Sequence, residues 1–197
     1  MQERYQTLKK KLEERKFSFS YFETAVLAAD YLSREIVGET VGMGGSMTLQ
    51  DMGIYELLEK NNEVHWHHKG GEIPKVNAAR VYLSSLNGVS ETGELLNIDG
   101  VGNRVGATAY GAQRVYFVIG RNKLAPSFEA ALWRARNIAG PQNAARRGAD
   151  TPCVTGEMRC YDCNSPQRIC SELLVFWQKP IGMEKMEIVL IDEDLGF

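Results

Sequence analysis

Four cysteines, Cys153, Cys160, Cys163 and Cys170, crowd one short segment of a chain whose other positions contain none. Their spacing is C-x6-C-x2-C-x6-C, and the central C-x2-C pair is a chelate bite suited to tetrahedral thiolate coordination. A zinc ribbon carries two such pairs and this segment carries one, so the pattern permits zinc or an iron–sulfur cluster without deciding between them. Four free thiols in a loop are the plainer alternative. A redox dithiol at Cys160 and Cys163 is disfavoured by Asp162, whose charge opposes an attacking thiolate.

Two glycine-rich segments offer a different chemistry. In Val41-Gly42-Met43-Gly44-Gly45-Ser46-Met47-Thr48 a short strand enters a glycine loop and then a helix, an order that lets backbone N–H groups approach an anion. No Gly-Lys-Ser/Thr follows, so it is not a P-loop, and the rest of the dinucleotide fingerprint is missing. Thr48 and Asp51 read as a capping box for the helix, and a tight turn without ligand is the alternative. The second segment, Ser90-Glu91-Thr92-Gly93-Glu94, leads into Asn97-Ile98-Asp99-Gly100-Val101-Gly102-Asn103-Arg104. A carboxylate beside glycine can approach a carbonyl as nucleophile or base, which makes Glu91 the candidate catalytic group. Arg104 could clamp a carboxylate or phosphate at two points. The alternative is a turn with a solvated glutamate.

His65 and His67 are two apart on one strand and could share a metal, with His68 beside them, although exposed imidazoles are the commoner case. Arg134, Arg136, Arg146 and Arg147 read as solvated helix faces, with an acid-binding rim as the alternative.

These residues need a scaffold, and hydrophobic periodicity supplies its outline. Tyr5, Leu8 and Leu12 mark an amphipathic first helix, and Ala25, Ala28, Leu32 and Ile36 a second that stops near Gly38. A helix follows the first glycine loop through Leu57 and Leu58. Another starts at Pro126, with Phe128, Leu132, Ala135 and Ala139 on one stripe. Strands are expected at 17–22, 40–43, around Val64 and Trp66, at 79–83, 95–98 and 115–119. Two further strands, at 173–177 and 186–191, flank Pro180-Ile181-Gly182 as a hairpin or as neighbours. The alternation predicts an α/β fold, a three-layer sandwich with a mainly parallel sheet.

With 197 residues, 23 basic and 25 acidic side chains and a net charge of −2, the chain suits one domain and lacks the positive field that nucleic acid demands. The hydrophobic share of 44% and charged share of 24% exclude wholesale disorder. Met1-Gln2-Glu3-Arg4-Tyr5-Gln6 is polar and no apolar run approaches a membrane span, so a cytoplasmic protein is expected. In that reducing compartment clustered cysteines are more often metal ligands than disulfides.

Gly42-Met43-Gly44-Gly45-Ser46, the run Glu91-Thr92-Gly93-Glu94-Leu95-Leu96-Asn97-Ile98-Asp99-Gly100 with Gly102-Asn103-Arg104-Val105, Arg136-Asn137-Ile138-Ala139 with Pro141, Asn143 and Ala144, the cysteine segment, and Asp194-Leu195-Gly196-Phe197 together resemble the LUD-domain (lactate-utilisation protein) family. The resemblance covers essentially the whole chain and points to the short branch with its own cysteines. It implies one LUD domain over 1–197, with the cysteine-bearing segment 150–171 inserted before the last strands. It also implies a fold similar to the sugar-phosphate isomerase and CoA-transferase group, and an association with lactate oxidation through a multi-subunit, iron–sulfur-containing system. Ser90-Glu91-Thr92-Gly93 further resembles the Ser-Glu-Asn-Gly segment that carries the catalytic glutamate of some CoA transferases, with Thr92 departing from it.

Two functions are therefore expected. In the first, a small anionic metabolite (a hydroxy or keto acid, a phosphate or a CoA compound) lies between the two loops. Glu91 is then the reactive carboxylate and Arg104 the clamp, with Gly42, Gly44, Gly45, Ser46, Thr92, Gly93, Asn97, Asp99, Gly102 and Asn103 around the ligand. In the second, the chain is a non-catalytic accessory or electron-transfer subunit whose cysteines hold an iron–sulfur cluster or zinc. Partners are the metabolite, other subunits of a lactate-utilisation system and a second copy of the chain, with neither nucleic acid nor membrane.

Overall fold

The computed structural model describes residues 2–197; Met1, which opens the polar N-terminal hexapeptide, lies outside them. In chain order the elements are α1 (Glu3–Glu14), β1 (Ser18–Phe22), α2 (Ala25–Glu35), β2 (Thr40–Met43), α3 (Met47–Asp51), α4 (Ile54–Leu58), β3 (Glu63–Trp66), α5 (Ile73–Asn77), β4 (Val81–Ser84), β5 (Gly88–Ser90), β6 (Leu95–Asp99) and α6 (Asn103–Ala109). They continue with β7 (Arg114–Gly120), β8 (Leu124–Ala125), α7 (Phe128–Arg134), a π-helical turn (Ala135–Ala139), α8 (Gly140–Arg146), α9 (Pro152–Thr155), β9 (Glu172–Phe176) and β10 (Lys185–Ile191). Among the described residues no helix is long and apolar enough to cross a membrane.

Six strands form an all-parallel sheet in the order β1-β10-β7-β4-β2-β3, and helices flank it, giving the three-layer α/β sandwich. Its central strands lack polar alternation because both faces are covered. Along β7, Val115, Phe117 and Ile119 point into one core, with Leu8 and Leu12 of α1 and Leu95 of β6. Tyr116 and Val118 point into the other, with Leu32 of α2 and Leu49 and Ile54 of the short helices. The period of two thus assigns successive residues to opposite layers.

A second sheet, in the order β8-β5-β6-β9, packs over the first core and carries α7 on its outer side through Leu96, Ala125 and Ala131. This corrects the hairpin expectation: β9 pairs antiparallel with β6 in the small sheet, while β10 lies between β1 and β7 in the large one. Both runs are apolar, and that property alone does not select a sheet. The small sheet also depends on β5 and β8, which are too short to show a periodicity.

Local chemistry moves several boundaries. Gly53, in the left-handed region at φ 61°, divides the expected single helix into α3 and α4. The cap of α3 is Ser46, whose hydroxyl accepts from Leu49 N at 3.3 Å. The capping box at Thr48 is therefore corrected, because Thr48 lies inside the helix and bonds to Ser85 and Leu195. Ser127 caps α7, placing Pro126 just before that helix. Replacing Ser46 by alanine removes the acceptor for a buried N–H. We expect a loss of about 1 kcal/mol in urea unfolding, and an unchanged midpoint would show that the cap is dispensable.

Candidate functional site

Parallel strands end together, and their carboxyl ends are where open α/β sheets bind ligands. Beyond β2, β3, β4 and β7 the chain continues through Gly45 and Ser46, His67–His68, Ser85–Asn87 and Lys123, and these segments edge a cleft of about 390 Å³. Asp99, Asn103 and Arg104 form another wall, and Asn143, Arg146 and Arg147 descend from the end of α8.

Asp99 organises its wall. One carboxylate oxygen accepts from Gly100 N at 2.8 Å, and the other from Arg104 N at 2.9 Å and Val105 N at 3.2 Å. The start of α6 is thereby satisfied from within the protein. Arg104 folds back, donating to the carbonyl of Ile98, with its Nε 4.0 Å from Asp99. Gly44 makes room for it: a Cβ there would stand 2.7 Å from Arg104 Cγ and 2.8 Å from the Tyr82 hydroxyl.

Lys123 is only 3% exposed and donates to the main-chain oxygen of Phe197. Burial, reinforced by Arg134 and Arg104 and opposed by Asp51, pulls its ammonium down to about 7. Burial likewise pushes His67 and His68 below the ordinary imidazole value. Both shifts favour the neutral ring. The Nδ1 of His67 lies 3.5 Å from Asn103 Nδ2, while its Nε2 is buried without a hydrogen-bond partner. Arg146 and Arg147 are exposed.

The structure brings Gly45, Ser46, Asp99, Asn103 and Arg104 to the cleft. Gly44 supports Arg104, and buried Asn97 lies behind, donating to Ser85 O at 3.5 Å. Gly102 packs against Glu172. Gly42 lies within β2, where a Cβ would meet the carbonyl of Val76. Glu91, Thr92 and Gly93 stay at the far end of β6 from Asp99, roughly 13 Å away along the strand. There Glu91 pairs with Arg4, and Glu94 receives Arg15 at 2.6 Å together with the Ser90 and Thr92 hydroxyls. The turn latches the end of α1 to the small sheet, and the expected juxtaposition of Glu91 with Arg104 does not occur.

The sequence profile of the LUD domain matches residues 5–191. The chain belongs to the LUD domain family. Its fold is similar to the crystal structure of a DUF162 family protein from Deinococcus radiodurans, with a TM-score of 0.57 over 96% of both chains at 8% identity. No curated protein matches the sequence.

In this LUD domain the histidines separate: His65 pairs with Glu63 at 3.1 Å, whereas His67 and His68 both line the cleft, the His68 ring lying tilted against Trp66. The shared metal read from the spacing of His65 and His67 is not formed by these contacts. Arg134 is another correction. It is buried at 7% exposure and donates to the carbonyl oxygens of Asn122, Asn87 and Phe197, tying three chain segments together. Arg136 of the π-helical turn instead faces the cysteine segment. Lys123, Ser85 and Asn87 were not singled out from the sequence, and Asn143 only as part of the family resemblance. The available signal was position, since Ser85 and Lys123 follow closely on the buried strands β4 and β7.

The four cysteines line a second cavity of about 260 Å³, adjoining the first, with Ile98 and Ile169 facing both. All four are unpaired and partly buried. Asp162, at φ 48°, turns the chain between Cys160 and Cys163. The Cys160 sulfur accepts from Arg136 and from Asp162 N, each at 3.4 Å. Arg168 donates to the carbonyls of Cys163 and Cys170.

Proposed function

We propose that this LUD domain binds a small anionic metabolite in the cleft beyond the carboxyl ends of β2, β3, β4 and β7. The observation that carries the reading is the set of cations there: Arg104 on one wall, Arg146 and Arg147 on the facing rim, and Lys123 at the base. The exposed arginines can each meet a carboxylate or phosphate oxygen at two points. The unpartnered Nε2 of His67 adds a hydrogen-bonding group for a hydroxyl or carbonyl on the same ligand. A hydroxy or keto acid of the lactate and pyruvate class fits this chemistry, as does the phosphate end of a larger compound. Asp99, beside Arg104, supplies a carboxylate, and its oxygens are engaged by backbone N–H groups, so its role is to hold the wall. A second reading, an accessory electron-transfer subunit of a lactate-oxidising assembly, draws on the cysteine-lined cavity next door.

Calorimetric titration with pyruvate, lactate and phosphate at low ionic strength tests the cleft. Binding by wild type and by Glu91→Gln with equal affinity is expected, and no heat with any of the three would remove the proposal. The pH profile is a sharper measurement. An anion favours the charged form of Lys123, which is populated below about 7 and lost as pH rises through that value. Pyruvate affinity should therefore fall severalfold, up to roughly 10-fold, between about pH 6.5 and about pH 9, and Lys123→Met should flatten that fall. A flat wild-type profile would take Lys123 out of the site.

A further inference from the structure

Lysine ammonium groups inside proteins ordinarily lie against a carboxylate, because an unpaired buried charge is costly. Lys123 has none. It is almost wholly buried, no Asp or Glu side chain among the described residues pairs with its Nζ, and the acceptor it does have is the main-chain oxygen of Phe197. Arg134 donates to the same oxygen at 3.5 Å, so a second cation stands beside the amine. Arg134 of α7 and Arg104 of α6 oppose its charge, and Asp51 of α3 favours it. Such surroundings favour the free amine, which is a nucleophile where an ammonium is not.

The amine also stands where a ligand's carbonyl would lie. Lys123 ends the turn that follows β7 and lines the anion cleft together with His67, Arg146 and Arg147. The amide nitrogen of Asn103 only donates, so the His67 Nδ1 3.5 Å from it is the acceptor, and the proton of the neutral ring sits on Nε2. That N–H is buried and has no partner among the described residues. The cleft therefore offers three functions to one ligand. Its arginines suit a carboxylate, the His67 N–H suits an oxygen, and the amine suits the carbon that carries that oxygen.

We propose that Lys123 forms a covalent imine with the carbonyl carbon of an α-keto acid held in this cleft. The inference rests on the anion-binding reading and narrows it, since a hydroxy acid has no carbonyl carbon for an amine to attack. On binding, the amine exchanges the Phe197 oxygen for the ligand. The N–C bond forms as the carbonyl π pair moves to oxygen, where the His67 N–H stabilises the developing charge. One proton then passes from nitrogen to that oxygen and gives a carbinolamine. A further proton from solvent removes the hydroxyl as water while the nitrogen lone pair closes the C=N bond. The protonated imine carries one positive charge, as the ammonium did, so the fall of pyruvate affinity with rising pH keeps its sign.

The test is reduction of the imine by cyanoborohydride in the full chain at pH 7 with pyruvate, read by intact mass and peptide mapping. The expected gain is one pyruvate less one oxygen atom, located on Lys123 and dependent on both reagents, with lactate giving none. At pH 7 only ~0.1% of an ordinary lysine is free amine. Lys123, drawn down to about 7 mainly by its burial, is about half free. Its labelling should therefore outrun that of exposed Lys10 by on the order of 100-fold. Lys123→Arg keeps a cation and should lose the adduct while its circular dichroism stays that of wild type. Arg146→Ala with Arg147→Ala gives an independent check should Lys123→Arg misfold, because labelling at low pyruvate should fall with affinity, by about 10- to 100-fold. Labelling of Lys123 no faster than that of Lys10 would overturn the proposal, as would full adduct formation in Lys123→Arg. Pyruvate that binds in the calorimeter yet leaves no trapped adduct would sink the imine alone. A chain that binds neither pyruvate, lactate nor phosphate would sink the cleft reading itself.

Discussion

Arg146→Ala combined with Arg147→Ala is expected to weaken pyruvate and phosphate binding by about 10- to 100-fold at low ionic strength. Hydrogen bonds to a charged group contribute about 1.5–3 kcal/mol each, but both arginines are exposed and solvent screens part of that. The lower end of the range therefore applies as salt is raised, and the wild-type affinity should itself fall with salt. Stability should move little, within about 0.5 kcal/mol, because both side chains are exposed and the nearest bond lost is that of Arg146 to Asn143. The same substitutions thus separate recognition from folding, which Arg104→Ala would not, since Arg104 also holds Ile98 and packs beneath Gly44. Unchanged affinity in the double variant would move the anion site elsewhere.

Gly42→Ala should produce the largest loss of stability of any single methyl addition considered. The new carbon would lie 2.1 Å from the carbonyl oxygen of Val76, 3.0 Å from Tyr82 Cδ2 and 3.1 Å from Ala79 Cβ. The closest of these is backbone, so relief requires α5 to move off β2 and cannot come from rotating a side chain. Overpacking of this kind costs about 3 kcal/mol, which for a chain of this size lowers the melting temperature by roughly 6–12 °C. Gly106→Ala is the matched control. No atom lies within 4 Å of its added carbon and it sits inside α6, so a gain of about 0.5–1 kcal/mol is expected. Equal melting temperatures for the two variants would show that α5 yields easily.

Gly42 also shows how far the sequence could be read. The order of strand, glycine loop and helix is visible because β2 is apolar and is followed at once by Gly44-Gly45, although the cap itself is Ser46 and not the expected Thr48. Which glycine faces the cleft and which faces a neighbouring helix depends on α5, whose position is a tertiary fact. Glu91 and Asp99 pose the same difficulty. Each is an acidic residue close to glycine, and they differ in standing at opposite ends of β6, a distinction that exists only once β5 and β8 have paired. Arg134 and Arg136 are two residues apart, yet one closes over three carbonyl oxygens and the other reaches a sulfur. Helical phase separates them, and the π-helical turn between α7 and α8 alters that phase where no local pattern announces it. The long apolar strands, the first two helices and the grouping of the cysteines were legible because each is written in neighbouring residues.

The pairing of β1 with β10 carries a consequence for synthesis. Among the described residues β1 has its ladder partner in residues 185–191, so its hydrogen-bonding edge stays open until almost the entire described chain has left the ribosome. Closing that contact is about as non-local as this chain allows, which slows folding and leaves an exposed edge able to pair with another nascent chain. The order of translation therefore works against the order of assembly: β2, β3 and β4 can associate early, whereas β1 must wait. A circular permutant that starts at β2 and places β1 after β10 should shorten that wait, and would be seen as faster refolding and less aggregation at the same final stability.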